Sequence, residues 1–280
     1  MRESRDGQGF RRQNLAQESD SYRDREVREE REDGHLLYGL HAAKAALAAR
    51  GDDVLRLAIA PALLESFDAL LKPLRAREIV PRVMSVDSLD RLAQSKHHEG
   101  VLLWMRPRQT LSAESVADVL LRGRGLAIAF DRVQNPHNLG AVLRTGAFFG
   151  VDVAIVEGPE GQNPLPAAAL RIAEGGAESV TFVRVPSLAR MLERLRGRGV
   201  SVLGTDRASR RSLFETQVKR PSVMVLGNER QGLSPEVRAQ CDVVVSIPGS
   251  ATVDSLNVSV AAGVLISHAV HGGRVTDRGA

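Results

Sequence analysis

Residues 125–157 read GLAIAFDRVQNPHNLGAVLRTGAFFGVDVAIVE, and the order of elements in this stretch decides the fold. GLAIAFD is a continuous apolar run closed by an aspartate, the pattern of a strand buried on both faces. A polar loop follows, in which Asn135-Pro136 turns the chain and Asn138 is placed to cap a helix opening at Leu139-Gly140. LGAVLRTGAFFG carries apolar residues at helical spacing, and VDVAIVE is a second strand-like run. Strand, helix, strand in succession predicts a parallel pairing, because a two-residue hairpin is absent and a crossover helix is present.

Working outward, VTFVRV, VSVLGTD, SVMVLG and DVVVSIP are further strand candidates. LARMLERLRGRG and LNVSVAAGVLISHAVH are helical patterns among them. Residues 111–273 therefore read as an α/β unit, a mostly parallel sheet covered by helices. The preceding stretch, His35 to Pro107, alternates in the same way on a smaller scale. LLYGLHAAKAALAARG places Leu40, Ala43 and Leu47 at helical spacing and ends at Gly51. VLRLAIA, IVPRVMSV and GVLLWM read as strands, ALLESFDALLKPLRAR and SLDRLAQS as helices, together a small α/β domain. MRPRQTLSAES places a linker around Pro107 to Thr110, and residues 108–122 are read as this linker and a leading helix before the larger unit. Residues 1–34 are dense in Arg, Asp and Glu and almost free of apolar side chains, so disorder is expected there, as in the short tail 274–280.

At 280 residues and 43% apolar, the chain has room for more than one buried core. No apolar run approaches the ~20 residues that span a bilayer, and no membrane partner is expected. The amino terminus is charged from its second residue and has no apolar stretch of the secretory kind, so a cytoplasmic setting is expected. A single cysteine, Cys241, excludes a disulfide framework and a cysteine-rich zinc site. His97-His98 has no ligand-type cluster beside it, so no metal is expected. The formal charge is +4 and the pI about 9.7, with arginine far outnumbering lysine. That balance permits nucleic-acid binding, and composition bias explains it equally well.

In parallel α/β sheets ligands bind in loops at the carboxyl ends of strands. Three such loops stand out: residues 131–150, with Asn138 and Arg144; residues 226–237, LGNERQGLSPEV, with Glu229 and a Gly232 suited to positive φ; and residues 247–266, where Ser255-Leu256-Asn257 opens a helix rich in small residues. Each has an ordinary reading as a capped strand-to-helix connection, and Ser255 or Asn257 also reads as a helix cap. His137 reads as an RNA contact or a loop-packing residue, and Arg171 as an RNA contact or a solvated helix-surface residue, while Trp104, in an apolar run, reads as core. No GxGxxG follows a strand and no GxxxxGK[ST] occurs, so neither a dinucleotide fold nor a phosphate-binding P-loop is supported.

Taken together, NPHNLGAVLRTGAFFGV, VMVLGNERQGLS and VVVSIPGSATVDSLNVSVAAGVLI resemble the three ordered motifs of the SpoU (TrmH-like) family in the SPOUT superfamily of RNA methyltransferases, across residues 123–273. YGLHAAKAAL and HHEGVLLWM, at the two ends of residues 35–107, resemble the family's accessory RNA-binding domain, akin to small ribosomal proteins. The resemblance implies a deep trefoil knot in the carboxyl-terminal part of the sheet, which strand spacing alone would not suggest. It implies S-adenosylmethionine as cofactor, held at Gly227, Ile247 and Leu256 with Leu226 and Asn228 as neighbours. It implies a homodimer with a site completed across the interface, where His268 and the last helix are candidate contacts. It implies 2′-O-methylation of RNA, ribosomal RNA ahead of tRNA, with an RNA-binding protein that has lost catalysis as the other reading. Arg144 is the residue assigned to the reacting hydroxyl. Because guanidinium stays protonated, a phosphate clamp and alkoxide stabiliser suits it better than a base. Asn138 is expected to orient Arg144 or the ribose. Glu229 is expected to hold the second loop or to position Arg144 of the partner. Ser255 and Asn257 are expected to shape the third loop.

Overall fold

The computed structural model describes residues 34–108, 111–159, 165–250, 252–253 and 255–272. The expected disorder of residues 1–34, apart from Gly34, and the expected tail at 274–280 lie outside the described residues, as do Gln109 and Thr110 of the linker.

Two sheets are present. The first holds β1 (His35–Tyr38), β2 (Val54–Ile59), β3 (Arg82–Val83) and β4 (Val101–Met105) in the order β1-β4-β2-β3. β4 is antiparallel to both β1 and β2, and β3 lies parallel to β2 at the edge. β3 is shorter than IVPRVMSV led one to expect. Pro81 brings no N–H to a ladder, and Val80 and Val83 are exposed, so only Arg82 and Val83 pair. Trp104 is buried in β4, as its apolar neighbours predicted.

The second sheet holds β5 (Leu126–Phe130), β6 (Val153–Glu157), β7 (Thr181–Val185), β8 (Ser201–Thr205), β9 (Ser222–Leu226) and β10 (Val243–Val245) in the order β10-β8-β9-β5-β6-β7. Every pairing in it is parallel. β5 is buried along its whole length and feeds two cores by alternation. Leu126, Ile128 and Phe130 pack with Leu139, Val142, Leu143 and Leu265 of the helices Pro136–Phe149 and Val258–His271. Ala127 and Ala129 pack with Val116, Leu120, Leu188 and Leu192 of the helices Ala113–Gly123 and Leu188–Gly197. A side chain as completely buried as Leu120 contributes about 2 kcal/mol through removal of its apolar surface from water. The first core runs on without a break into Leu37, Ala43, Leu57 and Phe67 of the smaller domain.

The chain runs from β5 outward through β6 to β7, then returns to build β8 and β9 on the opposite side of β5. The loops after β5 and β9 therefore leave neighbouring strands in opposite directions and open a crevice between them, the usual position of a ligand in an open parallel sheet. Beyond β10 the chain is held by the segment after β8: Leu213 N donates to Ser246 O and Ser246 N to Arg211 O, at 2.8 Å each. Among the described residues no helix is long and apolar enough to cross a membrane.

Candidate functional site

The three polar loops meet at that crevice. Asp131, buried at the end of β5, accepts from Ser234 N at 2.5 Å and so fixes the start of the helix Pro235–Ala239. Arg132 reaches across to donate to Gln231 Oε1 at 2.7 Å, and Asn228 Nδ2 donates to Arg132 O at 3.0 Å. Asn228 and Gly232 exchange backbone hydrogen bonds of 3.0 and 2.9 Å, closing a tight turn in which Gly232 has φ 67°. This turn folds back onto Gly227, where an added Cβ would stand 2.5 Å from the Gly232 carbonyl carbon. Only a glycine fits there, because the obstacle is backbone.

A row of polar side chains ties the loops together. Asn138 Nδ2 donates to Glu229 Oε1 at 2.6 Å, and Asn257 Nδ2 donates to Asn138 Oδ1 at 3.0 Å. Asn257 Oδ1 accepts from Ser259 N at 2.8 Å, capping the helix Val258–His271. Asn138 is 8% exposed, so both ends of its amide are satisfied out of water, where an unmet polar group costs about 1–3 kcal/mol. The expectation that Asn138 caps its helix is corrected here. Asn135 is the cap, accepting from His137 N at 2.9 Å, with Pro136 at the first position. An Asx residue directly before a helix-starting proline takes the cap, which leaves Asn138 inside the first turn and free to bridge loops.

Beside this row lies a cavity of about 260 Å³. Leu226, Val245, Val258 and Leu265 give it an apolar floor, and Gly227, Asn228 and Glu229 bring backbone and polar groups to one wall. Ile247, Ser255 and Leu256 form the opposite wall, and Arg207 and Arg230 stand at the rim. All five positions expected to hold a cofactor line the cavity: Leu226, Gly227, Asn228, Ile247 and Leu256. Of the residues expected to act on substrate, Glu229 and Ser255 line it too, while Asn138 and Asn257 stand behind its wall.

Arg144 stands apart. It is not among the lining residues, its side chain is 58% exposed, and Nη1 is 2.8 Å from Glu174 Oε1. Six residues separate it from Asn138 on one helix, which turns the two side chains about 120° apart. Arg144 instead shares a face with Phe148, one turn further on, which is 83% exposed. Val260, Phe214 and His268 line a shallow groove nearby, and His268 Nε2 is 2.8 Å from Thr216 O. Glu229, for its part, is engaged with Asn138 of its own chain.

Other residues resolve into structural roles. His98 is buried, receives Gly100 N on Nδ1 at 2.9 Å and places Nε2 2.8 Å from Asp90. Among the described residues no group of three His, Cys, Asp or Glu is placed to hold a metal ion. Arg171 approaches Glu99 of the smaller domain at 3.9 Å, so it belongs to the contact between domains. Burial pushes the Cys241 thiol up to about 11. Two features escaped the sequence reading. One is Glu174, the partner of Arg144. The other is Glu178, whose carboxylate is 6% exposed and binds Arg50 Nε at 2.8 Å and Arg108 Nη2 at 2.5 Å. Burial pulls the Arg108 guanidinium below its usual value, with Glu178 opposing the shift. Isolated acids in a Gly-rich stretch carry no periodic pattern, so nothing in the sequence marks them.

Known proteins resemble this chain in sequence and fold. Residues 125–267 match the SpoU rRNA methylase family, and residues 36–111 match the RNA 2′-O ribose methyltransferase substrate-binding family. The chain belongs to the SpoU rRNA methylase family, with a substrate-binding domain ahead of the methylase domain. A 23S rRNA (guanosine-2′-O-)-methyltransferase, RlmB, of Pseudomonas aeruginosa is 36% identical over 234 residues, covering 82% of this chain and 93% of that protein. The RlmB of Vibrio cholerae is 34% identical over 241 residues, covering 84% and 96%. Among solved structures, the SpoU methyltransferase AviRb from Streptomyces viridochromogenes aligns with a TM-score of 0.70 at 26% identity, over 87% of this chain and 92% of that one. A second structure of AviRb, in complex with the cofactor AdoMet, aligns with a TM-score of 0.70 at 25% identity.

Proposed function

We propose that this chain transfers a methyl group from S-adenosylmethionine to the ribose 2′-hydroxyl of a guanosine in large-subunit ribosomal RNA. Family membership carries methyl transfer to ribosomal RNA. The guanosine follows the names of the relatives that align over more than nine tenths of their own length. The cavity fits the cofactor: its apolar floor suits an adenine ring, and the backbone at Gly227 and Asn228 offers donors and acceptors to the ring edge. Leu226, Gly227, Asn228, Ile247 and Leu256 are the residues that would hold it. When bound, it supplies an electrophilic methyl on a sulfonium.

The protein's own task is then orientation and charge. A protonated guanidinium clamps a phosphate of the RNA and stabilises negative charge as it develops on the 2′-oxygen, and the hydroxyl proton passes to a phosphate oxygen. Arg144 is that guanidinium. Asn138, Glu229 and Asn257 hold the loops that frame the cavity, and Ser255 shapes its open side. Arg144 is exposed and does not line its own cavity, the single observation that supports a homodimer in which each Arg144 completes the partner's site. We assign residues 35–107 to substrate binding, 108–122 to the linker and leading helix, and 123–273 to the methyltransferase. The grip of residues 211–213 on Ser246, outside the last strand, supports a trefoil knot here. The cytoplasm, where ribosomal RNA is made and folded, is the proposed setting.

The test is incubation with methyl-labelled S-adenosylmethionine and unmodified ribosomal RNA or tRNA, followed by digestion to nucleosides. Label in 2′-O-methylguanosine from ribosomal RNA is expected. Label on a base, or in tRNA alone, overturns the reading. Mixing two inactive variants, Arg144→Ala and Gly227→Val, is expected to restore activity, because a mixed dimer carries one intact composite site. No restoration on subunit exchange removes the shared site.

A further inference from the structure

We infer that Glu174 is a positioning residue for Arg144, and that the turn bearing it carries the seating of the substrate-binding domain to the reacting arginine. The inference rests on the proposed role of Arg144.

The segment from Arg171 to Glu178 lies between the two domains and touches both in alternation. Arg171 meets the smaller domain at Glu99, and its Cγ would stand 2.6 Å from a Cβ placed on Gly39. Glu174 turns to the other side and pairs with Arg144 at 2.8 Å. Gly175 meets the helix Leu40–Arg50 so closely that an added Cβ would stand 2.5 Å from Ala45 Cβ. Gly176 rests on the backbone of the arginine itself: an added Cβ would stand 3.0 Å from Arg144 Cα and 3.1 Å from Leu143 O. Glu178 returns to the smaller domain and the linker through Arg50 and Arg108.

The backbone of the turn is not one that its residues adopt freely. Glu174 has φ 46° and Gly175 φ 87°, two left-handed residues in succession, the first of them not glycine. A side-chain-bearing residue is disfavoured there and persists only where its surroundings impose it. Those surroundings are the smaller domain on one side and the Arg144 backbone on the other. The helix Leu40–Arg50 therefore presses the turn into the form that points the Glu174 carboxylate at the guanidinium. An exposed ion pair adds little stability. Its effect here is directional: it leaves one edge of a long, rotamer-rich side chain fixed and the remaining donors facing outward.

The experiment uses the full-length enzyme with ribosomal RNA and S-adenosylmethionine, comparing Glu174→Gln, Glu174→Asp and the remote Ala45→Leu. Glu174→Gln is expected to lower kcat about fivefold through looser orientation, with cofactor affinity and thermal midpoint unchanged. Glu174→Asp should recover part of the loss. Ala45→Leu, which pushes on Gly175 from the smaller domain, should lower kcat in the same sense. In an Arg144→Ala background, Glu174→Gln should have no further effect. An active parent enzyme with unchanged kcat in Glu174→Gln overturns the inference, as does an equal loss in the Arg144→Ala background. An inactive parent would instead remove the functional reading on which the inference rests.

Discussion

The helix Pro136–Phe149 braces the cavity through Asn138 and carries Arg144 on another face, and these two regions are built in opposite ways. The cavity side is finished within one chain. Asn138, Glu229 and Asn257 satisfy one another, Gly227 is wedged against its own loop, and apolar floor residues exclude water. The Arg144 side is left open, with an exposed guanidinium beside an exposed phenylalanine and a single acidic partner. A cavity that must hold a small, invariant cofactor gains from rigidity. A face proposed to receive RNA and a second subunit cannot be closed in advance. The same helix serves both because residues six apart on it look in different directions.

That contrast is open to direct attack. The largest effect is expected from Arg144→Ala, which should lower turnover by about a hundredfold or more, the scale of losing a transition-state charge stabiliser. Calorimetric titration should find S-adenosylmethionine binding unchanged. Weakened cofactor binding would place Arg144 with the cavity after all. Next, Phe148→Asp buries or exposes a charge according to whether that face is covered. Sedimentation should show the dimer weakened by tenfold or more, since an unpaired buried charge costs several kcal/mol, whereas an unchanged dimer would remove this face from the interface. Third, Asn138→Ala strands the Glu229 carboxylate and the Asn257 amide. Unfolding in urea should show a loss of about 1–3 kcal/mol, with cofactor affinity falling alongside it. A neutral result would mean that water replaces the amide.

The smallest effect tests how closed the sheet edge is. Burial raises the Cys241 thiol to about 11, so alkylation by iodoacetamide should be slow at pH 8 and rise only toward that value. The folded-state value is raised, so the neutral thiol's contribution is intact below the unfolded thiol's ordinary range and is lost as pH climbs through about 11. Rapid labelling at pH 8 would show that β10 and the adjoining helix open readily.

Much of the catalytic domain was legible from runs of residues. β5 is apolar throughout, and β6 and β9 are so apart from Glu157 and Ser222 at their ends, because both faces of a central parallel strand are covered, and such runs announce themselves. The cofactor loops were legible because glycine is the residue that the backbone geometry at Gly227 and Gly232 calls for. Asn138 was misplaced because Asn135 and Pro136 already start the helix, so the later asparagine had another task. The direction of Arg144 was not legible, since spacing gives a helix its period and not the identity of what lies on each side. The short helices Ala167–Ile172 and Gly176–Ser179 also escaped, being too brief and too rich in alanine and glycine to show a period. Strand order is invisible for a related reason. Neighbours in the sheet are chosen by crossovers, which leave no mark on either strand.

One of those crossovers has a consequence for how the molecule is made. In the ladder β5 places Leu126 opposite Ser222, a partner that leaves the ribosome some ninety residues later. Through that interval the edge of β5 that β9 will occupy stays unpaired and apolar, the kind of edge that recruits foreign strands. The smaller domain, which shares a continuous core with the Pro136–Phe149 helix, is already complete by then. Truncating it would expose the part of that core it covers and should lower the soluble yield of the chain before any loss of activity can be measured.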